Sequence, residues 1–135
     1  MILFMIDLKD QPGELARLSD AIARKGINIE SVTGVASRGG GTVAVITNDE
    51  AGTRSALSEA GYQARETEIA TASLEHKPGT LAAAAKKLAD AGINIIAALP
   101  IGMAEGKVGV AFATDQPAKA KEILGGGSKV GVSVG

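Results

Sequence analysis

The chain has 135 residues and a net charge of −1, with no basic run longer than two residues, so the electrostatic footprint of nucleic-acid binding is missing. Cysteine is absent, which excludes disulfides, thiolate nucleophiles and Cys-ligated zinc or iron–sulfur clusters. Only Phe4, Tyr62 and Phe112 are aromatic, too few to stack bases, and the apolar opening Met1-Ile2-Leu3-Phe4-Met5-Ile6 lacks a basic leader and is too short for a signal peptide or membrane span. We therefore expect a cytoplasmic protein with no nucleic-acid or membrane partner.

In chain order, residues 2–8 form a β-rich apolar run that ends at the breaker Asp10-Gln11-Pro12-Gly13. Leu15, Leu18 and Ile22 follow at spacings of three and four, one inward face of a helix that Gly26 stops. Residues 27–35 alternate apolar and polar positions as a half-buried strand. Arg38-Gly39-Gly40-Gly41 then connects to a strand over 42–47. Asn48 or Asp49 can cap a second helix that runs to Ala60 and ends at Gly61, and residues 62–69 supply a fourth strand.

The order then repeats. A strand over 71–75 meets Pro78-Gly79, and an alanine-rich helix over 80–91 points Leu81 and Leu88 inward before Gly92 stops it. A strand over 93–101 is placed at an edge or bulged by Pro100. Ala104-Glu105-Gly106 turns into a strand over 108–113, and Asp115 starts a helix with Pro117 in its first turn. Gly125-Gly126-Gly127 ends that helix, and Val130, Val132 and Val134 alternate as a final strand.

The halves also match in wording. Pro12-Gly13-Glu14-Leu15-Ala16 returns as Pro78-Gly79-Thr80-Leu81-Ala82, and Gly26-Ile27-Asn28-Ile29 returns as Gly92-Ile93-Asn94-Ile95, both displaced by 66 (78 − 12 and 92 − 26). Gly61 and Gly127 differ by 66 as well, which extends one constant offset to the end of the chain. The reading is two domains, 1–69 and 70–135. Each is an α+β, ferredoxin-like βαββαβ plait with an antiparallel sheet and its helices on one face. At about 65 residues each, such units are marginal alone and should pack on one another or on a second chain.

In each half a polar turn feeds a helix N-terminus, where the first amides lack intrahelical partners and the helix dipole favours an anion. The candidate ligand-binding residues are Asp10, Gln11, Pro12, Gly13, Glu14 and Leu15 with Asn28, and His76, Lys77, Pro78, Gly79, Thr80 and Leu81 with Asn94. Each turn also has a bland reading as ordinary turn-and-cap chemistry, and each asparagine as simple strand alternation. The paired occurrence of both features favours a ligand site.

The pattern (Asp/His)-x-Pro-Gly-x-Leu-Ala, a one-sided helix and Gly-Ile-Asn-Ile resembles the ACT domain, a small regulatory module of amino-acid metabolic enzymes. The resemblance covers both halves, as in a freestanding tandem ACT protein. Its members commonly pair two domains side by side into an eight-stranded sheet, which implies here domains that pair edge to edge or face to face and a small amino acid bound at the domain–domain seam. In serine-sensing members the residue two before the proline and the strand asparagine contact ligand, which marks Asp10 and His76, and Asn28 and Asn94. A histidine used there four residues before the proline is Leu8 or Leu74 here, so serine itself is not implied. The two turns also differ, acidic in one and His-Lys in the other, so the sites need not be equivalent.

Catalysis is poorly supported: His76 is the single histidine, the carboxylates are scattered, and no nucleophile–base or metal-ligand cluster can be assembled. Acylphosphatase-like plaits need an arginine in the first loop, which has none, and Gly39-Gly40-Gly41 lacks the Lys-Ser/Thr of a phosphate loop. We expect no enzyme activity, cofactor or metal. The expected protein is an amino-acid-binding regulator that forms a homodimer or other homo-oligomer and acts on a regulated enzyme. The alternative is a docking module for a metabolic enzyme or transcription regulator that binds no metabolite.

Overall fold

The computed structural model of the protein describes residues 1–125. It separates into two compact units, one spanning Met1–Glu66 and one beginning at Thr67. The fold is the α+β, ferredoxin-like type, with antiparallel strand pairing and four helices among the described residues.

Unit 1 contains β1 (Ile2–Lys9), α1 (Glu14–Ala23), β2 (Ile29–Ser37), β3 (Gly40–Thr47) and α2 (Glu50–Glu59). Both β1 and β2 pair antiparallel with β3. Phe4 and Ile6 of β1, Val43 and Val45 of β3, Leu18 and Ile22 of α1, and Leu57 of α2 share one core with Ile27. Strand residues at i and i+2 therefore meet helix residues four apart, which places both helices on one sheet face.

The first strand of the next unit begins early. β4 (Ala64–Glu75) runs unbroken across the boundary, where a separate strand over 62–69 and another over 71–75 were expected. No glycine, proline, asparagine or aspartate lies between Ala64 and Glu75, so nothing interrupts the extended backbone. Tyr62 and Gln63 stay outside the strand.

Unit 2 continues with α3 (Thr80–Asp90), β5 (Ile95–Ala104), β6 (Lys107–Thr114) and α4 (Pro117–Ile123). β6 pairs antiparallel with both β4 and β5. Its core of Ala70, Ala72, Ala84, Leu88, Ile93, Val110, Phe112 and Ala120 mirrors that of unit 1. Ala70, Ala72, Ala84, Leu88 and Ile93 stand 66 beyond Phe4, Ile6, Leu18, Ile22 and Ile27 (70 − 4 through 93 − 27).

That offset does not hold to the end. Val110 and Phe112 stand 67 beyond Val43 and Val45 (110 − 43 and 112 − 45), and the turn residues with positive φ, Arg38-Gly39 and Glu105-Gly106, also differ by 67. The extra residue is Ile101, skipped in the ladder between Pro100↔Val110 and Gly102↔Gly109. Pro100 thus sits beside a bulge, as its missing N–H requires. The left-handed glycine directly after α4 is Gly125, with φ 75, in the place Gly61 holds after α2 with φ 84. Gly126, Gly127 and the expected strand through Val130, Val132 and Val134 lie outside the described residues.

Two more expectations change. Leu15 and Leu81 are 51% and 53% exposed, because the packed part of α1 and α3 begins one turn further in, at Leu18 and Ala84. Asp115 does not begin α4; Gln116 occupies the N-cap position ahead of Pro117.

Candidate functional site

The two Pro-Gly turns are built alike. Gly13 and Gly79 occupy the N-cap positions of α1 and α3 with φ 91 and ψ −11, and φ 91 and ψ −14. That left-handed conformation is available to glycine without the clash a Cβ suffers. A Cβ built at either position would meet no atom within 4 Å, so the requirement for glycine is conformational. The turns also share a tight closure, with the Gln11 amide donating to the Lys9 carbonyl at 3.1 Å and the Lys77 amide to the Glu75 carbonyl at 2.8 Å.

Neither helix start has a side-chain cap. In α2 the Asp49 carboxylate accepts from the Gly52 amide at 2.9 Å, so an acid-capped start exists in the same fold. At α1 the Glu14 amide makes a long hydrogen bond of 3.5 Å to the Gln11 carbonyl, and Leu15 and Leu81 beside the two helix starts are exposed.

Around this common frame the side chains differ. In the first turn Asp10, Gln11, Pro12 and Gly13 are exposed, and the Gln11 amide group donates to Glu14 at 3.4 Å. In the second, His76, Lys77, Pro78 and Gly79 are exposed, Lys77 pairs with Glu75 at 2.8 Å, and the His76 backbone N–H donates to the Gly106 carbonyl at 3.0 Å. The Thr80 hydroxyl donates to the carbonyls of Glu75 (2.7 Å) and Lys77 (3.2 Å), stitching that turn shut.

Asn28 and Asn94 are exposed residues just ahead of β2 and β5, each held by its backbone. Asn28 donates its N–H to the Asn48 side chain at 3.1 Å and accepts from the Asn48 N–H at 3.2 Å. Asn94 makes the same exchange with Asp115, at 2.9 and 3.1 Å. Asn48 and Asp115 thus brace the asparagines rather than cap helices. Among the described residues no hydrogen bond joins Asn28 to the Asp10–Leu15 turn, or Asn94 to the His76–Leu81 turn; within each unit these features stay separate.

Each unit also has a cleft beside the start of its first helix that the motifs did not flag. In unit 1 it encloses about 610 Å³ and is lined by Asp7, Lys9, Glu14, Arg17, Tyr62 and Arg65, among others. Arg65 donates to both Asp7 oxygens at 2.8 and 3.2 Å, and the Thr42 hydroxyl donates at 2.9 Å. Those bonds, the arginine's foremost, hold the Asp7 carboxyl below its ordinary range. Burial raises the Tyr62 phenol; the nearby Arg17 charge opposes the shift and Glu14 adds to it. In unit 2 the corresponding cleft, about 300 Å³, is lined instead by Ser73, Glu75, Thr80, Ala83 and Lys87 with Leu124. The sequence signal for the first cleft was the Glu14 and Arg17 pair, three apart on one helix face, but its opposite wall comes from residues about 50 positions away.

Comparison with known proteins agrees with the fold. Residues 2–61 match the family model described as the ACT domain, which covers most of unit 1. Comparison with curated protein sequences finds no match. Among solved structures, a protein from Bacteroides thetaiotaomicron superposes with a TM-score of 0.77 at 21% identity, covering 91% of this chain and 85% of that one. The ligand-free regulatory subunit of aspartate kinase from Thermus thermophilus gives 0.64 at 20% identity, covering 95% and 92%. The corresponding subunit from Thermus flavus gives 0.61 at 24%, covering 91% and 86%. At these identities the likeness is one of fold. No cluster of metal-ligating side chains occurs among the described residues, and no helix there is long and apolar enough to cross a membrane.

Proposed function

We propose that the chain is a tandem pair of ACT-type domains, residues 1–69 and 70–135, that binds a small amino acid and regulates a partner without catalysing a reaction. The observation that carries this reading is the repeated helix start: two glycine-capped helices of matching geometry, both without a side-chain cap. A ligand carboxylate would meet the amides of Gly13 to Leu15 or of Gly79 to Leu81, where the dipole favours it. Its ammonium would meet turn carbonyls and, in the first site, Asp10. Asn28 or Asn94 would come from a facing copy of the fold at a domain–domain seam, in keeping with their separation from the turn of their own unit. Ligand then favours one arrangement of domains over another, the differential affinity a switch needs.

Structural neighbours described as regulatory subunits of aspartate kinase favour a metabolic enzyme as the regulated partner, and the small size of each unit, marginal alone, favours a homo-oligomer as the working form. A thermal-shift screen of the twenty amino acids tests the reading. One of them should raise stability progressively, by about 2.7 kcal/mol at a hundred times Kd. Asn28→Ala combined with Asn94→Ala should abolish most of that rise. If no amino acid shifts the transition, the docking module without a metabolite takes the place of the sensor; if the double variant responds unchanged, the asparagines are not in the site.

A further inference from the structure

The cleft of unit 1 holds a feature that amino-acid binding at the Pro-Gly turns does not use. Tyr62 is the single tyrosine of the chain, and its phenolic oxygen is buried with no hydrogen-bond partner among the described residues. A buried hydroxyl without an acceptor is uncommon and asks for a ligand or water to complete it. Over the face of the same ring, 4.7 Å from its centroid, lies the Arg17 guanidinium. Arg17 takes part in none of the ion pairs among the described residues. Asp7 and Arg65 satisfy one another. The charges left facing the cleft are therefore Arg17, Lys9 and Glu14, a net positive set beside an unused O–H donor.

Unit 2 serves as an internal control. At the positions 66 further on, Ser73 replaces Asp7, Glu75 replaces Lys9, Thr80 replaces Glu14 and Ala83 replaces Arg17, yet the strand, turn and helix are the same. A cleft forms there too; among its described residues this set of charges is absent, while the Ser73 hydroxyl is likewise buried without a partner. The strand, turn and helix form without them, so these side chains are free to serve a ligand. Of the turn residues only Glu14 reaches the cleft; Asp10, Gln11, Pro12, Gly13 and Asn28 do not line it.

We propose that this cleft is a second binding site, for a small organic carboxylate that accepts the Tyr62 hydroxyl proton in a hydrogen bond and sets its charge against Arg17 and Lys9. A volume of about 610 Å³ suits a ligand of metabolite size. A guanidinium over the phenol ring offers one carboxylate both a charge partner and an O–H donor, and charge-assisted bonds are the stronger class. The proposal does not depend on an amino acid binding at the turns.

With one tyrosine and no tryptophan, the intrinsic fluorescence of the full chain reports on this site alone. Propionate, titrated at constant ionic strength against chloride, should give a saturable change in Tyr62 emission. Arg17→Gln should weaken that response about tenfold, the loss of one charge-assisted contact. Asn28→Ala with Asn94→Ala should leave it intact, which separates this site from the proposed seam site. Alanine, the α-amino counterpart of propionate, tells whether Glu14 also holds an ammonium: tighter binding than propionate, lost in Glu14→Gln, places a zwitterion in the same cleft. A strictly linear response to propionate, or an equal response in folded Arg17→Gln, overturns the proposal.

Discussion

Two glycines in this chain are required for opposite reasons. Gly13 needs its backbone: an L-residue at φ 91 is disfavoured by about 1–2 kcal/mol, while the space a side chain would enter is open. Gly52 needs its emptiness. It sits in the first turn of α2, where a Cβ would lie 2.4 Å from the Asp49 Oδ2 and 2.9 Å from the Ile27 Cδ1. Helix propensity alone favours alanine there by about 1 kcal/mol. Against that stand the Asp49 cap, about 1 kcal/mol, and displacement of Ile27 from the unit 1 core. Gly52→Ala should therefore destabilise the protein by about 1–2 kcal/mol in urea unfolding, the reverse of the propensity expectation. A stabilised variant would show that Asp49 can swing away and that its cap contributes little.

At the scale of elements, the two cores solve one packing problem in opposite ways. Phe4 of β1 faces Val45 of β3, while the equivalent pair in unit 2 is Ala70 of β4 facing Phe112 of β6. Each core holds one phenylalanine, on opposite members of the same cross-strand pair, so volume is kept while its source moves between strands. Phe4→Ala alone should cost about 3–5 kcal/mol and Val45→Phe alone about 1–3 kcal/mol. Combined, they copy the unit 2 arrangement, and the double variant should be more stable than the sum of the two losses predicts, by at least about 1 kcal/mol of coupling. Strict additivity in chemical denaturation would mean the units are not interchangeable at this pair. The same comparison shows what was legible beforehand. The Pro-Gly turns, the alternation of β6 and the inner part of each helix face (Leu18 and Ile22, Leu88) are written in local periodicity and appear where expected, whereas Leu15 and Leu81 carry the same periodicity and lie outside the packed part of their helices. The Ile101 bulge and the continuous β4 were not legible, because a strand's register and end are set by its pairing partner. Nor were the clefts: Tyr62 and Arg17 meet only once α1 packs beside the chain that follows α2. The turn residues were readable in the same local way, whereas their relation to Asn28 and Asn94 is not a local property at all.

For the whole molecule, β4 is the strand that passes from one unit to the other, and its exposed residues carry much of the surface ion pairing. Arg65 pairs with Asp7 of β1, Glu66 with Arg54 of α2 at 2.6 Å, and Glu68 with Lys121 of α4. Hydrogen bonds from Arg65, Arg54 and Lys121 respectively lower the carboxyls of Asp7, Glu66 and Glu68. A carboxylate whose folded-state pKa is depressed stabilises the fold above its unfolded value, near 3.9 for Asp and about 4.3 for Glu, and loses that contribution as pH falls through the lower folded value. Stability should therefore be level with respect to these groups near neutrality and decline below about pH 4. Tyr62 works from the other end: its raised pKa contributes stability below about pH 10 that is lost as pH climbs through the folded value. All three carboxylates are solvent-accessible, so each effect is small and screened by salt. The combined variant Asp7→Asn, Glu66→Gln and Glu68→Gln should have a shallower acid limb in thermal unfolding followed from pH 7 to pH 2. The difference from the unaltered chain should shrink in about 1 M salt, where the Debye length is near 3 Å. An acid limb of unchanged slope would show that the pairs along β4 do not differ between folded and unfolded chains, and that other carboxylates govern acid unfolding.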